Sequence, residues 1–150
     1  ELESVAEKSN EVLFTRHIRV LRLELTAWLA DAEGKHDSSI TLMTKAAELE
    51  ASTPKHPVTP APTLPAYELL GDVLLEQGRA SEACNAYDRS LEGNALRFNS
   101  LLGAARASKA IDSLQRAAIF YRQLIDISSS NSKREALDEA RRFLIDAQTK

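Results

Sequence analysis

The segment LPAYELLGDVLLEQGRASEACNAYDRSLEGNALR, residues 64–97, predicts two helices joined by a tight turn around Gly78. Small residues, Gly71 and Ala83, stand where two antiparallel helices must approach closely. Bulky residues recur at three-to-four-residue intervals, the spacing that places them on one helical face; they are Leu70, Leu74, Tyr87 and Leu91. We therefore expect this segment to form an interlocking helical pair.

The composition favours a single all-helical domain. The chain has 150 residues, of which 43% are hydrophobic, which suits one domain with a sizeable core. Aromatic residues make up only 5%, and β-branched residues are few, so sheet is disfavoured. The net charge of −3 is too small to indicate nucleic-acid binding, and no apolar run approaches the length of a membrane span.

The spacing of residues within 64–97 resembles that of the tetratricopeptide repeat (TPR) family, as in a bacterial-type TPR-containing protein. The family's landmarks are a large residue, then Leu-Gly, then an aromatic residue, and in the second helix Ala-x3-aromatic. The matching residues are Tyr67, Leu70, Gly71, Ala83 and Tyr87, while Leu74 replaces the usual Tyr and Ala95 the closing Pro. The resemblance implies an all-α, right-handed superhelix of antiparallel helix pairs that serves as a binding scaffold.

A second repeat follows at residues 98–131, so the 34-residue period continues. Asp112 stands where Gly78 stood in the preceding repeat, and Asp112 and Gln115 have the spacing of a capping box. A last helix within residues 132–148 has one apolar and one charged face, as expected of a helix that caps the array.

The N-terminal part resembles a degenerate repeat at residues 20–53, with its turn glycine at Gly34. We expect a further helix at residues 1–15, which either breaks near Ser9 or runs on into the repeat. The segment 54–65 holds all five prolines and interrupts the array. Because proline disfavours helix, we expect an ordered extended strap there; a flexible tether or a PxxP ligand for SH3-type modules is the alternative.

Motifs for catalysis, metal binding or cofactor binding are missing from the sequence. There is no CxxC, HExxH, GxGxxG, Walker-type loop or GxSxG. His17, His36 and His56 lie about twenty residues apart in separate elements, and the single cysteine, Cys84, sits in an apolar helix that suggests inert packing. We therefore expect no enzyme, no metal site and no cofactor.

The TPR resemblance implies a concave groove lined by the first helix of each pair, which would bind a protein or peptide. Its exposed residues are expected to be Glu24, Trp28, Asp31, Glu68, Asp72, Glu76, Asn99, Leu102, Arg106 and Lys109. Such a groove is acidic in two repeats and basic in the third. Trp28 would be an interface hot spot or a core residue, and Arg106 would bind a ligand carboxylate or pair with a nearby acid.

The TPRs that capture the C-terminal carboxylate of chaperones use Lys, Asn and Arg at five groove positions. Here those positions hold Glu24, Trp28, Leu69, Asn99 and Gly103, so this mode of capture is disfavoured. Net charge runs −4, −2 and +3 along residues 1–53, 54–97 and 98–150, which could orient a ligand or order copies head to tail. The partner stays unidentified, and a structural or self-assembling role within a longer array is the alternative to peptide binding.

Overall fold

The computed structural model describes residues 12–54, 64–129 and 132–148. Seven α-helices and no strand are found in these ranges, which confirms the all-α, TPR-like prediction. They are α1 Val12–Ala32, α2 His36–Ala51, α3 Ala66–Glu76, α4 Ala80–Gly93, α5 Phe98–Ala110, α6 Leu114–Asp126 and α7 Glu135–Gln148. None of these helices is long and apolar enough to cross a membrane. The superhelical winding stays a prediction.

The chain divides into two compact units, Glu1–Val73 and Leu74–Lys150. In the first unit α1 packs along α2. Small and apolar side chains fill the contact because they let the two helices approach closely; the buried ones are Val20, Ala27 and Ala30 from α1 and Met43, Ala46 and Ala47 from α2.

In the second unit each helix packs on the next one, α4 on α5, α5 on α6 and α6 on α7. The core there consists of Leu101, Ala105, Ala117, Tyr121, Leu124, Leu137 and Ala140. Between α4 and α5 the approach is especially close, since a Cβ added at Gly103 would collide with the ring of Tyr87. Cys84 is buried in the same contact, with its Sγ 3.9 Å from the Ser108 Oγ.

Each turn between paired helices contains one residue in the left-handed region of backbone space. These residues are Gly34, Gly78 and Asp112, with φ of 76°, 74° and 59°. In each turn the following N–H donates to a carbonyl five residues earlier, the bond of a Schellman motif; the pairs are Lys35 to Ala30, Arg79 to Leu74 and Ser113 to Ser108, at 2.8, 2.8 and 2.9 Å. The three turns are therefore built alike.

Gly78→Ala is expected to lower the free energy of unfolding by about 1 kcal/mol, because an L-residue resists positive φ. No atom lies within 4 Å of the Cβ position, so backbone strain is the only cause. Urea denaturation measures the loss. Asp112→Ala is the matched control, since Asp112 already carries a Cβ; a loss there as large as at Gly78 would contradict this explanation.

One feature differs from the sequence prediction. Asp112 does not cap α6, because the residue before that helix is Ser113 and it makes no side-chain capping bond; the left-handed Asp112 ends α5 instead. The described part of the helix expected at residues 1–15 runs on into the repeat as part of α1, which begins at Val12; this is one of the two alternatives left open above. The rest of that helix and most of the proline-rich strap, residues 55–63, lie outside the described residues.

Candidate functional site

Glu139 of α7 connects α5 and α6 through its carboxylate. Arg106 Nη2 donates to its Oε2 at 2.6 Å and Arg106 Nε to its Oε1 at 3.1 Å, while the Tyr121 hydroxyl donates to Oε1 at 2.6 Å. The hydrogen bond from Arg106 lowers the pKa of Glu139, and burial, followed by the bond to Glu139, raises the pKa of Tyr121. This bidentate, charge-assisted pairing fixes the orientation of α7 on its neighbours.

A cleft of about 460 Å³ opens beside this network. Its lining comes from α5, α6 and α7 and consists of Lys109, Leu114, Glu139, Arg142, Phe143, Asp146 and Ala147. The Phe143 ring packs against Tyr121 with centroids 4.9 Å apart, and the Lys109 Nζ lies 5.8 Å from the Phe143 centroid. The cleft therefore offers an aromatic surface beside two cations and two carboxylates, of which Glu139 is already paired with Arg106. An apolar side chain that neighbours a carboxylate would pack on the ring and meet the cations.

Of the predicted groove residues in the second unit, Lys109 lines this cleft and Arg106 adjoins it through Glu139. Glu76 and Asn99 are exposed, and Leu102 is half-buried against the core. Arg106 pairs with Glu139, which agrees with the predicted alternative that it pairs with a nearby acid. Its side chain is nevertheless 49% exposed.

In the first unit two of the predicted groove residues are not on the surface. Glu24 is 6% exposed and Glu68 is 1% exposed. The prediction of exposure was wrong for both, because the burial of a side chain depends on tertiary packing and not on its position in the repeat alone. Trp28 is 43% exposed and is not a core residue. Asp72 is exposed, and Asp31 is half-buried with its Oδ1 2.9 Å from His36 Nδ1.

Glu24 faces a second carboxylate, that of Glu50 on α2. Burial and, after it, the negative charge of Glu50 raise the pKa of Glu24 to about 7. Glu50 accepts the backbone N–H of Ala66 with both oxygens, at 3.2 and 3.3 Å, and so holds the first turn of α3. An anion at a helix N-terminus is favourable, so the Glu50 carboxylate stabilises the first turn of α3.

Comparison with known families assigns the repeat. A sequence model of the tetratricopeptide repeat family matches residues 64–92, which are α3, α4 and the turn between them. The chain contains a tetratricopeptide repeat. The match confirms the resemblance seen in residues 64–97, whereas the bacterial type stays a prediction. None of the curated proteins that were compared matches the sequence.

Two solved TPR structures share the fold. One is the first TPR of Spaghetti (RPAP3) bound to the HSP90 peptide SRMEEVD, with a TM-score of 0.68 and 17% identity over 88% of this chain and 94% of that one. The other is the first TPR domain of the human RPAP3 protein, with a TM-score of 0.67 and 15% identity over 87% and 94%. At this identity the likeness concerns the fold alone.

The TPR pattern did not point to the α7 side of the cleft. Arg142, Phe143 and Asp146 belong to a helix that the sequence marked only as a cap. A signal was present, because Glu139, Phe143 and Asp146 are spaced four and three residues apart and so share one helical face. In the described residues no group of three or more His, Cys, Asp or Glu side chains could hold a metal ion.

Proposed function

We propose that this chain is a protein-interaction module that binds a peptide segment, with the cleft between α5 and α7 as the contact surface. The observation that carries the proposal is that two exposed cations, Lys109 and Arg142, line the same cleft as the Phe143 ring. The preferred ligand has a large apolar side chain next to an acidic group, since the first packs on the ring and the second meets the cations.

The TPR bound to the HSP90 peptide SRMEEVD supports this proposal, because it is a protein of the same fold that holds a peptide. The ligand of this chain differs in class. Of the five positions that would form the carboxylate clamp, three are buried, namely Glu24, Leu69 and Gly103. No Lys or Arg occupies any of the five. Recognition therefore depends on the α5–α7 cations rather than on a clamp for the chain end.

A display library of random peptides tests the proposal. Wild type should select acidic peptides with a large apolar residue, and Lys109→Glu combined with Arg142→Glu should weaken the best of them at least tenfold, because attraction becomes repulsion. Fluorescence anisotropy of the labelled peptide measures the affinity.

The matched control is Arg122→Glu with Lys133→Glu, which changes the charge equally at exposed sites outside the cleft. We expect it to alter affinity less than about threefold, as exposed rim charges do. The proposal fails if no peptide is selected, or if both double variants bind the selected peptide equally well.

A further inference from the structure

α1 has two apolar faces on opposite sides. One packs on α2. The other, called here the outer stripe, consists of Phe14, Ile18, Leu21, Leu25, Trp28 and Leu29. Five of these are exposed large side chains, at 55% for Phe14, 58% for Leu21, 65% for Leu25, 43% for Trp28 and 60% for Leu29. A row of exposed large apolar side chains along one helix face indicates an interaction site.

The spacing of the outer stripe is that of a helix that pairs with another helix. Successive members from Phe14 to Trp28 are four, three, four and three residues apart. This is the heptad pattern of coiled coils, in which the apolar seam of one helix fits between the side chains of its partner. The face toward α2 has no such pattern of large residues, since two of its four buried members are alanines.

The outer stripe is unlike the faces through which helices of this chain pack on each other. By repeat register, Leu25 and Leu29 correspond to Gly103 and Ala107 of α5, both buried. Gly103 lets the Tyr87 ring of α4 approach the α5 backbone directly. Two leucines at these places exclude so close a contact, and they fit a partner that also presents large apolar side chains.

The area is sufficient for pairing with an identical stripe. The exposed parts of the five side chains amount to roughly 600 Å² per copy, so two copies would bury about 1,200 Å², the lower end of specific interfaces.

We propose that two copies of this chain associate through their outer stripes, with α1 of one copy against α1 of the other. A two-fold axis would relate the two copies, so that the same residues of each stripe contact the stripe of the other copy. The interface lies on the first unit and does not involve the α5–α7 cleft, and the proposal is therefore independent of the peptide-binding function.

Sedimentation velocity of the full chain, from about 1 μM to about 500 μM, tests the proposal over the range of a small interface. We expect the 16.5 kDa monomer to give way to a species of twice that mass. Trp28 is the single tryptophan and belongs to the stripe, so its emission should shift to the blue over the same concentrations.

Leu25→Glu should raise the dimer dissociation constant at least 100-fold, because a charge enters the seam from both copies. Ile145→Glu is the matched control. Ile145 is an apolar residue of α7 that is 63% exposed, and its substitution should leave the dimer dissociation constant unchanged. Circular dichroism checks that both variants keep their helix content.

Three results would overturn the proposal. Wild type could remain monomeric at the highest concentration, or Leu25→Glu could dimerise as well as Ile145→Glu does. The third is a chain that dimerises only after residues 1–11 are deleted, which would make those residues the occupant of the stripe.

Discussion

Glu24→Gln is expected to stabilise the protein by about 2–3 kcal/mol at pH 8 and to change its stability little at pH 5. The carboxyl of Glu24 is buried beside Glu50, and its pKa is raised from 4.5 to about 7. The folded state therefore binds this proton more tightly than the unfolded state. The contribution of Glu24 to stability is complete below about pH 4.5 and is lost as the pH rises to about 7.

Urea denaturation at half-unit steps between pH 5 and pH 8 measures this effect. Wild type should lose stability across the interval relative to Glu24→Gln, because the amide carries no charge at any of these pH values. Glu48→Gln is the matched control, an exposed carboxylate on α2 whose replacement should leave the pH dependence as in wild type. Parallel curves for wild type and Glu24→Gln would show that Glu24 is charged without cost in the folded state.

Gly103→Ala is expected to destabilise the protein by about 2 kcal/mol, because the new methyl group overlaps the buried ring of Tyr87. A loss of this size lowers the melting temperature by roughly 6 °C in a chain of this length. Thermal unfolding followed by circular dichroism measures it. Alanine is otherwise the better helix former by about 0.5–1 kcal/mol, so steric overlap is the only source of a loss.

The effect of Gly103→Ala on stability should change sign when the Tyr87 ring is absent. In a Tyr87→Leu background, Gly103→Ala should raise stability by about 0.5–1 kcal/mol, since only the gain in helix propensity remains. If Gly103→Ala destabilised both backgrounds equally, the contact with Tyr87 would not be the reason for glycine at position 103.

The spacing of the repeat landmarks and the positions of the turn glycines predicted most of the fold. The landmark residues Ala83 and Tyr87 are both buried, as their spacing indicated. Gly78 and Gly34 end their helices at the predicted turns. Asp112 shows the limit of the pattern, because its side chain suggested a cap while its backbone position demanded the left-handed conformation. At that place the geometry of the turn outweighed the side chain's capacity to form hydrogen bonds.

The candidate site was less accessible to sequence reasoning. Glu24 and Glu68 occupy the same place in two repeats, and the TPR resemblance alone put both in the groove. Their burial depends on tertiary packing. The charge that acts on Glu24 comes from Glu50, which lies 26 positions further along the chain. Likewise, Arg106 meets Glu139 across 33 positions. Contacts over such separations arise from tertiary packing, and no local pattern encodes them.

The thiol of Cys84 is a natural probe of local opening in the second unit. The thiol is buried between α4 and α5, so a maleimide can reach it only when these two helices separate. Because Cys84 is the single cysteine of the chain, labelling reports openings at this contact alone. Where reclosing outpaces labelling, the labelling rate yields the free energy of opening for this part of the protein alone.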